Sequence, residues 1–130
     1  MLEKGIVGNL ECIVTEEKTA RAMGSGELAV YATPAMIALM EETAYKSVSA
    51  ELEEGAGSVG TLMDVRHVAA SPVGMKITCK TELTEVDGRR LVFHVEAFDE
   101  KGLVGEGTHE RFIIQNEKFQ QKADSKLERV

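Results

Sequence analysis

Thr33-Pro34-Ala35-Met36-Ile37-Ala38-Leu39-Met40-Glu41-Glu42-Thr43-Ala44-Tyr45-Lys46-Ser47-Val48-Ser49-Ala50-Glu51-Leu52-Glu53 is the one stretch with a sustained helical period. Thr33 can cap such a helix, and Pro34 at the first helical position gives up an N–H that would be unpaired anyway. Gly55 and Gly57 close it. At about 100° per residue, Met36, Ile37, Met40, Ala44, Val48 and Leu52 form one apolar stripe. Glu42, Lys46, Ser49 and Glu53 fall on the opposite face, with Glu42 and Lys46 at the favourable i,i+4 spacing. A helix of about 20 residues spans roughly 30 Å, the width of a small domain. Its stripe needs a sheet to cover it.

The flanking sequence supplies that sheet. Ile6–Thr15 reads as a first strand, and Val59–Ala70 alternates, with Met63, Val65 and Ala69 on one face against Asp64 and Arg66. Met75, Ile77, Cys79, Thr81 and Leu83 alternate with Lys76, Thr78, Lys80, Glu82 and Thr84. Asp87-Gly88 is a hairpin signal into Leu91, Phe93, Val95 and Ala97, whose other face carries Arg90, His94 and Glu96. Glu100-Lys101-Gly102 turns into a last strand, about Leu103–Gln115. One long helix followed by antiparallel strands predicts an α+β domain, a curled sheet around a buried helix. Glu16–Ala32 has no clear period and reads as a loop with at most a short helix, of the length that tends to be functional or mobile. Asn116–Val130 is polar and reads as a solvated tail, so the predicted domain is 1–119 and the tail 120–130.

At 130 residues the chain is the size of one domain. It holds 15 basic against 22 acidic residues, a net charge of −7, with 5% aromatics and no Trp. That balance argues against nucleic acid, which calls for clustered positive charge and stacking platforms. No apolar run approaches the roughly 18 residues of a membrane span, and Met1-Leu2-Glu3-Lys4-Gly5 does not open a secretory signal. Cys12 and Cys79 both fall in strands and read as free buried thiols, as in a reducing cytosol. The expectation is a cytoplasmic protein with no membrane partner.

Two residues break the pattern. Glu41 falls within the apolar stripe, where a carboxylate is costly unless paired or put to work, and burying a carboxylate makes it a better general base. The alternatives are a wet stripe edge or a structural Arg paired with it. His67 lies on the apolar face with Met63, Val65 and Ala69, as a hydrogen-bonded core residue or a catalyst. His94 alternates onto the outer, solvated face, and His109 in Gly107-Thr108-His109-Glu110-Arg111 can be read either way. No H-x-x-x-H or C-x-x-C spacing is present, so no metal is expected. Thr33, besides capping, sets a hydroxyl beside unpaired helix N–H groups, which can stabilise a developing oxyanion.

Taken in order, Ala32-Thr33-Pro34-Ala35-Met36, Leu39-Met40-Glu41, Gly57-Ser58-Val59-Gly60-Thr61, Val65-Arg66-His67-Val68-Ala69-Ala70, Asp87-Gly88-Arg89-Arg90-Leu91 and Gly105-Glu106-Gly107-Thr108-His109-Glu110-Arg111 resemble the fluoroacetyl-CoA thioesterase group of hot dog fold enzymes. The likeness runs from about Thr33 to Phe119, roughly two thirds of the chain. It implies a long helix wrapped by an antiparallel sheet, dimerised into one continuous sheet, with dimer against tetramer left open. It also implies a catalytic set of Thr33, Glu41 and His67, with Arg111 and Gly60 near the substrate. Selective fluoroacetyl enzymes resemble one another in carrying phenylalanines before the threonine. Here Gly24-Ser25-Gly26-Glu27-Leu28-Ala29-Val30-Tyr31 has none.

The expected activity is hydrolysis of a small or short-chain acyl-CoA thioester. Glu41 would activate Thr33 or a water, His67 would shuttle the proton and assist the thiolate, and N–H groups at the helix start or near Gly60 would hold the oxyanion. No cofactor is required. The polyanionic CoA leads one to expect a local basic cluster drawn from Arg66, Lys76, Arg89, Arg90 and Arg111. The alternatives are a non-catalytic acyl-thioester-binding protein and an enoyl-thioester hydratase, which would more often pair Asp with His. Thr33 and Glu41 are eight positions apart, about 12 Å along a helix axis, whereas a hydrogen bond needs about 3 Å. Either Thr33 lies off the helix on a chain that folds back, or its partner comes from another subunit. The second is favoured, because hot dog dimers resemble one another in placing the helix start near the subunit junction.

Overall fold

The computed structural model describes residues 2–128. Five strands, β1 (Val7–Ile13), β2 (Ala56–His67), β3 (Lys76–Asp87), β4 (Arg90–Asp99) and β5 (Gly102–Gln115), form one antiparallel sheet in the order β1-β3-β4-β5-β2. The helices are α1 (Ala20–Met23), α2 (Thr33–Ser49) and α3 (Asn116–Asp124). The α+β expectation holds, with a curved sheet wrapped around α2. Met36, Met40, Ala44 and Val48 are fully buried, as are Ile77, Cys79, Leu83, Leu91, Phe93, Val95, Ala97 and Val104 from the sheet. The alternation in β3 and β4 therefore places every second side chain on the helix, and Gly88 takes the left-handed turn (φ +62°) between them. Both cysteines are free thiols. Burial pushes the Cys79 thiol up to about 11.

Three expectations change in detail. The cap of α2 is Ala32, extended at φ −77° and ψ 140°, and Thr33 is already helical with no side-chain cap bond. The helix stops at Ser49 rather than near Glu53, so Leu52 sits in the following turn, and Leu39 and Thr43 join the buried face instead. Part of the C-terminal tail is helical: α3 is tied back by the Asn116 N–H to the Gly55 carbonyl at 2.9 Å, and its side chains are all exposed. Residues 129 and 130 of the predicted tail lie outside the described residues.

Glu16–Ala32 is built from pieces too short to show a period, a 3₁₀ turn at Glu16–Lys18 followed by α1. Thr19 holds the two together: its hydroxyl donates to the Glu16 carbonyl at 2.7 Å and accepts from the Ala22 N–H at 3.3 Å. Backbone bridges from Thr19 to Tyr31 and from Val30 to Pro72 lay the segment against the start of α2, with Tyr31 buried beneath it.

β2 positions the site. It pairs with β5 on one side only, so its other edge is unpaired among the described residues. Its register slips between Gly60 and Leu62, leaving Thr61 as the extra residue of a β-bulge. The bulge resets the alternation, so Gly60, Met63, Val65 and His67 share the face turned toward α2.

Candidate active site

The first cluster forms where α2 begins. Thr33 Oγ1 lies 2.8 Å from His67 Nδ1, so the hydroxyl that was expected to cap the helix is committed to an imidazole instead. His67 closes β2, is half-buried, and has Tyr31 edge-on to its ring at 6.3 Å between centroids. Its Nε2 is buried without a hydrogen-bond partner. Burial pushes the His67 pKa down, which keeps the ring neutral and able to accept a proton. When the hydroxyl donates to Nδ1, the ring proton sits on Nε2, the arrangement that activates an alcohol. Ala20, Ser25, Val30 and Tyr31 wall the open cleft of about 310 Å³ into which Thr33 and His67 face.

Glu41 lies elsewhere, two turns along α2, opposite the bulge of β2. A Cβ built on Gly60 would come within 2.6 Å of Glu41 Oε2, 3.3 Å of His109 Cε1 and 3.5 Å of Arg111 Nη1. A glycine at 60 is thus what lets these three groups converge. Arg111 is buried and firmly held: Nε donates to Ser58 Oγ and Nη2 to the Ser58 carbonyl, each at 2.8 Å, while Tyr45 packs at 5.7 Å from the guanidinium carbon. Its Nη1 lies 3.8 Å from Glu41 Oε2. Desolvation pushes the Arg111 pKa down while Glu41 acts the other way, and both leave it charged at neutral pH. The Glu41 side chain is 44% exposed, so of the alternatives its sequence left open the stripe edge is wet at this point, and an arginine stands beside it. Ile37, Thr61 and Met63 complete a recess of about 250 Å³ around it.

Within one chain, then, Thr33 meets His67, and Glu41 meets Gly60 and Arg111, but the two groups do not meet each other. His109 was left undecided by its sequence. It is 1% exposed, with Nδ1 2.9 Å from the Leu62 carbonyl and Nε2 3.2 Å from Arg111 Nη1. Only the inward register of β5, fixed by pairing with β4, could have revealed it.

The expected basic cluster is not there. Arg90 is taken up by Glu110 at 3.0 Å and Glu85 at 2.6 Å, Lys76 stands 3.8 Å from Glu11, and Arg111 is turned inward. Arg66 faces Glu106 and Arg90 faces Phe112 on β5, six residues or about 20 Å apart, with Arg89 over the Phe112 ring. Among the described residues, His94, Glu96 and Glu106 are the group with donor atoms close enough to hold a metal ion. They stand on the outer face of the sheet, away from both clusters.

A family model described as fluoroacetyl-CoA-specific thioesterase matches residues 14–117. The fluoroacetyl-CoA thioesterase of Streptantibioticus cattleyicolor is 44% identical over 97 residues, covering 75% of this chain and 70% of that protein. A solved structure of a fluoroacetyl-CoA thioesterase variant in complex with acetyl-CoA superposes with a TM-score of 0.92 at 35% identity, over 98% of this chain and 100% of that one. A Thermus thermophilus hypothetical protein, a thioesterase superfamily member, gives a TM-score of 0.87 at 31% identity, over 95% of this chain and 92% of its own. The match along most of its length, on a hot dog fold, makes this chain a member of the fluoroacetyl-CoA-specific thioesterase family.

Proposed function

We propose that this protein hydrolyses a small or short-chain acyl-CoA thioester to the free acid and CoA, with Thr33, Glu41 and His67 as its catalytic residues. The observation that carries the reading is the 2.8 Å contact between Thr33 Oγ1 and the neutral His67 at the mouth of a cleft. An alcohol donating to an imidazole is a nucleophile or water-orienting pair. Glu41 supplies a carboxylate with one solvent-facing side, the form a base for water takes. The backbone at Gly60 is stripped of side-chain bulk beside it and can approach a thioester oxygen, and Arg111 keeps positive charge near the developing anion.

A homodimer brings the two clusters together in this reading. A free edge along a twelve-residue strand, with Leu62 43% exposed, is a template for pairing. Antiparallel pairing of β2 with its copy, about a twofold axis at Asp64, sets Met63 opposite the partner subunit's Val65, and the bulge at Thr61 then brings Gly60 opposite the partner subunit's His67, on the same face. Thr33 and His67 of one protomer then meet Glu41, Gly60 and Arg111 of the other, giving two equivalent sites. The two sheets become one, and the open side of Glu41 is covered. No described helix is long and apolar enough to cross a membrane, and CoA esters as substrates go with a cytoplasmic location.

A panel of acyl-CoAs from acetyl to octanoyl, followed by free-thiol release, tests the function. Hydrolysis of the shorter esters is expected. Tight binding without thiol release would make the protein an acyl-thioester receptor, and hydration of an enoyl-CoA without thiol release would make it a hydratase.

A further inference from the structure

His109 has a place in this arrangement that Thr33, Glu41 and His67 do not account for. It is the most enclosed titratable group near Glu41, stacked on Phe93 at 6.0 Å, and both its ring nitrogens are engaged. A carbonyl can only accept, so the bond to Leu62 O fixes the proton on Nδ1. Nε2 is then a lone pair, and the Arg111 Nη1 at 3.2 Å donates to it. Burial, with Arg111 adding to it, pushes the His109 pKa down, so the neutral tautomer is the stable one.

Each bond holds something the reaction uses. Leu62 is the residue just past the β2 bulge, so the Nδ1–H bond pins the bulge that carries Gly60. The Nε2 bond engages Nη1, the guanidinium nitrogen that faces Glu41, while Ser58 holds the other two guanidinium nitrogens. The gap from Nη1 to Glu41 Oε2 is 3.8 Å, longer than a hydrogen bond. Glu41 is faced by Arg111 and His109 from β5, by Gly60 from β2 and by Tyr45 one turn along α2. Glu110, on the outer face of β5, is occupied by Arg90.

We infer that His109 is a positioning residue that keeps Arg111 beside Glu41 without letting it close into a full ion pair, and that pins the bulge carrying Gly60. A carboxylate locked by a guanidinium is a poor base, and one with no nearby cation is a poor neighbour for an oxyanion. The inference rests on Glu41 being the base.

Two variants separate the two bonds, because the amide of Asn overlays Nδ1 and that of Gln overlays Nε2. In His109→Asn the bond to Leu62 survives and Nη1 is released toward Glu41. The expected result is a fall in kcat of about tenfold to a hundredfold, with the acid limb of the kcat/KM profile moved to lower pH. His109→Gln keeps an acceptor for Arg111 and loosens the bulge, so its KM rises while the acid limb stays at the wild-type position. Histidine ring ¹⁵N shifts on the wild-type protein, which need no activity, should show His109 as the neutral Nδ1–H tautomer across the working pH range. An unmoved limb in His109→Asn, the same profile in both variants, or an Nε2–H or cationic His109 overturns the inference. If His109→Asn fails to fold, the tautomer and the Gln variant decide. Glu41→Gln, run alongside, tells the two failures apart. Wild-type turnover there removes the base itself, whereas an inactive Glu41→Gln beside wild-type-like His109 variants removes only the positioning role.

Discussion

A threonine, a glutamate and a histidine in this chain have each been moved away from the role their local sequence would give them. Thr33 leaves the helix cap to Ala32 and binds His67; Glu41 stands at an opening in an apolar stripe; His67 ends a strand on its inward face. Replacing Glu41 by Gln keeps shape and removes basicity, so turnover should fall by at least about 100-fold with the fold retained. Steady-state kinetics with a thermal melt checks this, and full activity would remove Glu41 from the mechanism. Glu41 and His67 stand out in the sequence because each is a polar group where the period calls for an apolar one, whereas Thr33 reads as an ordinary helix cap and comes forward only through the family resemblance. His109 and Arg111 were not legible by pattern. They sit two apart on β5, where Gly105 and Gly107 blur the alternation, and only the pairing of β5 with β2 and β4 shows that both point inward.

Among the elements, the helix and the four long strands were readable because each buries one face over nine or more residues, enough to show a period. The segment before α2 was not, since a 3₁₀ turn of three residues and a helix of four carry no periodic signal. The bulge at Thr61 was hidden for the same reason, although it decides that Gly60 and His67 share a face. The segment before α2 also bears on specificity. It contributes Ala20, Ser25, Val30 and Tyr31 to the cleft beside Thr33, mostly small side chains and no phenylalanine. Such a wall has little with which to tell a fluorine from a hydrogen. The ratio of kcat/KM for fluoroacetyl-CoA over acetyl-CoA should stay well below about 10⁴. A higher ratio, measured on the two esters side by side, would mean that selectivity arises elsewhere in the site.

For the whole molecule, two buried or half-buried histidines with lowered pKa values make stability depend on pH. His67 and His109 resist protonation in the folded chain, whereas in the unfolded chain they take up protons near pH 6.5. The unfolded state therefore binds more protons as pH falls below about 6.5, and stability is lost from there down toward the folded values. Melting temperatures across this window should drop in the wild type and drop less in His109→Gln; equal slopes would show that His109 does not contribute.

In the proposed mechanism a working site needs two chains. One chain carries Thr33 with His67 at one end of β2 and Glu41 with Gly60 at the bulge, and its free edge offers the means of joining them. Inactive Thr33→Ala and inactive Glu41→Gln proteins, denatured, mixed and refolded, would form heterodimers holding one intact site of two. Statistical pairing then restores about a quarter of wild-type activity. Thr33→Ala mixed with His67→Ala should restore none, because those residues serve the same site from the same chain, while His67→Ala with Glu41→Gln should again give about a quarter. Heterodimers shown to form without any recovery in the Thr33 and Glu41 mixture would contradict the shared site and leave each chain to work alone.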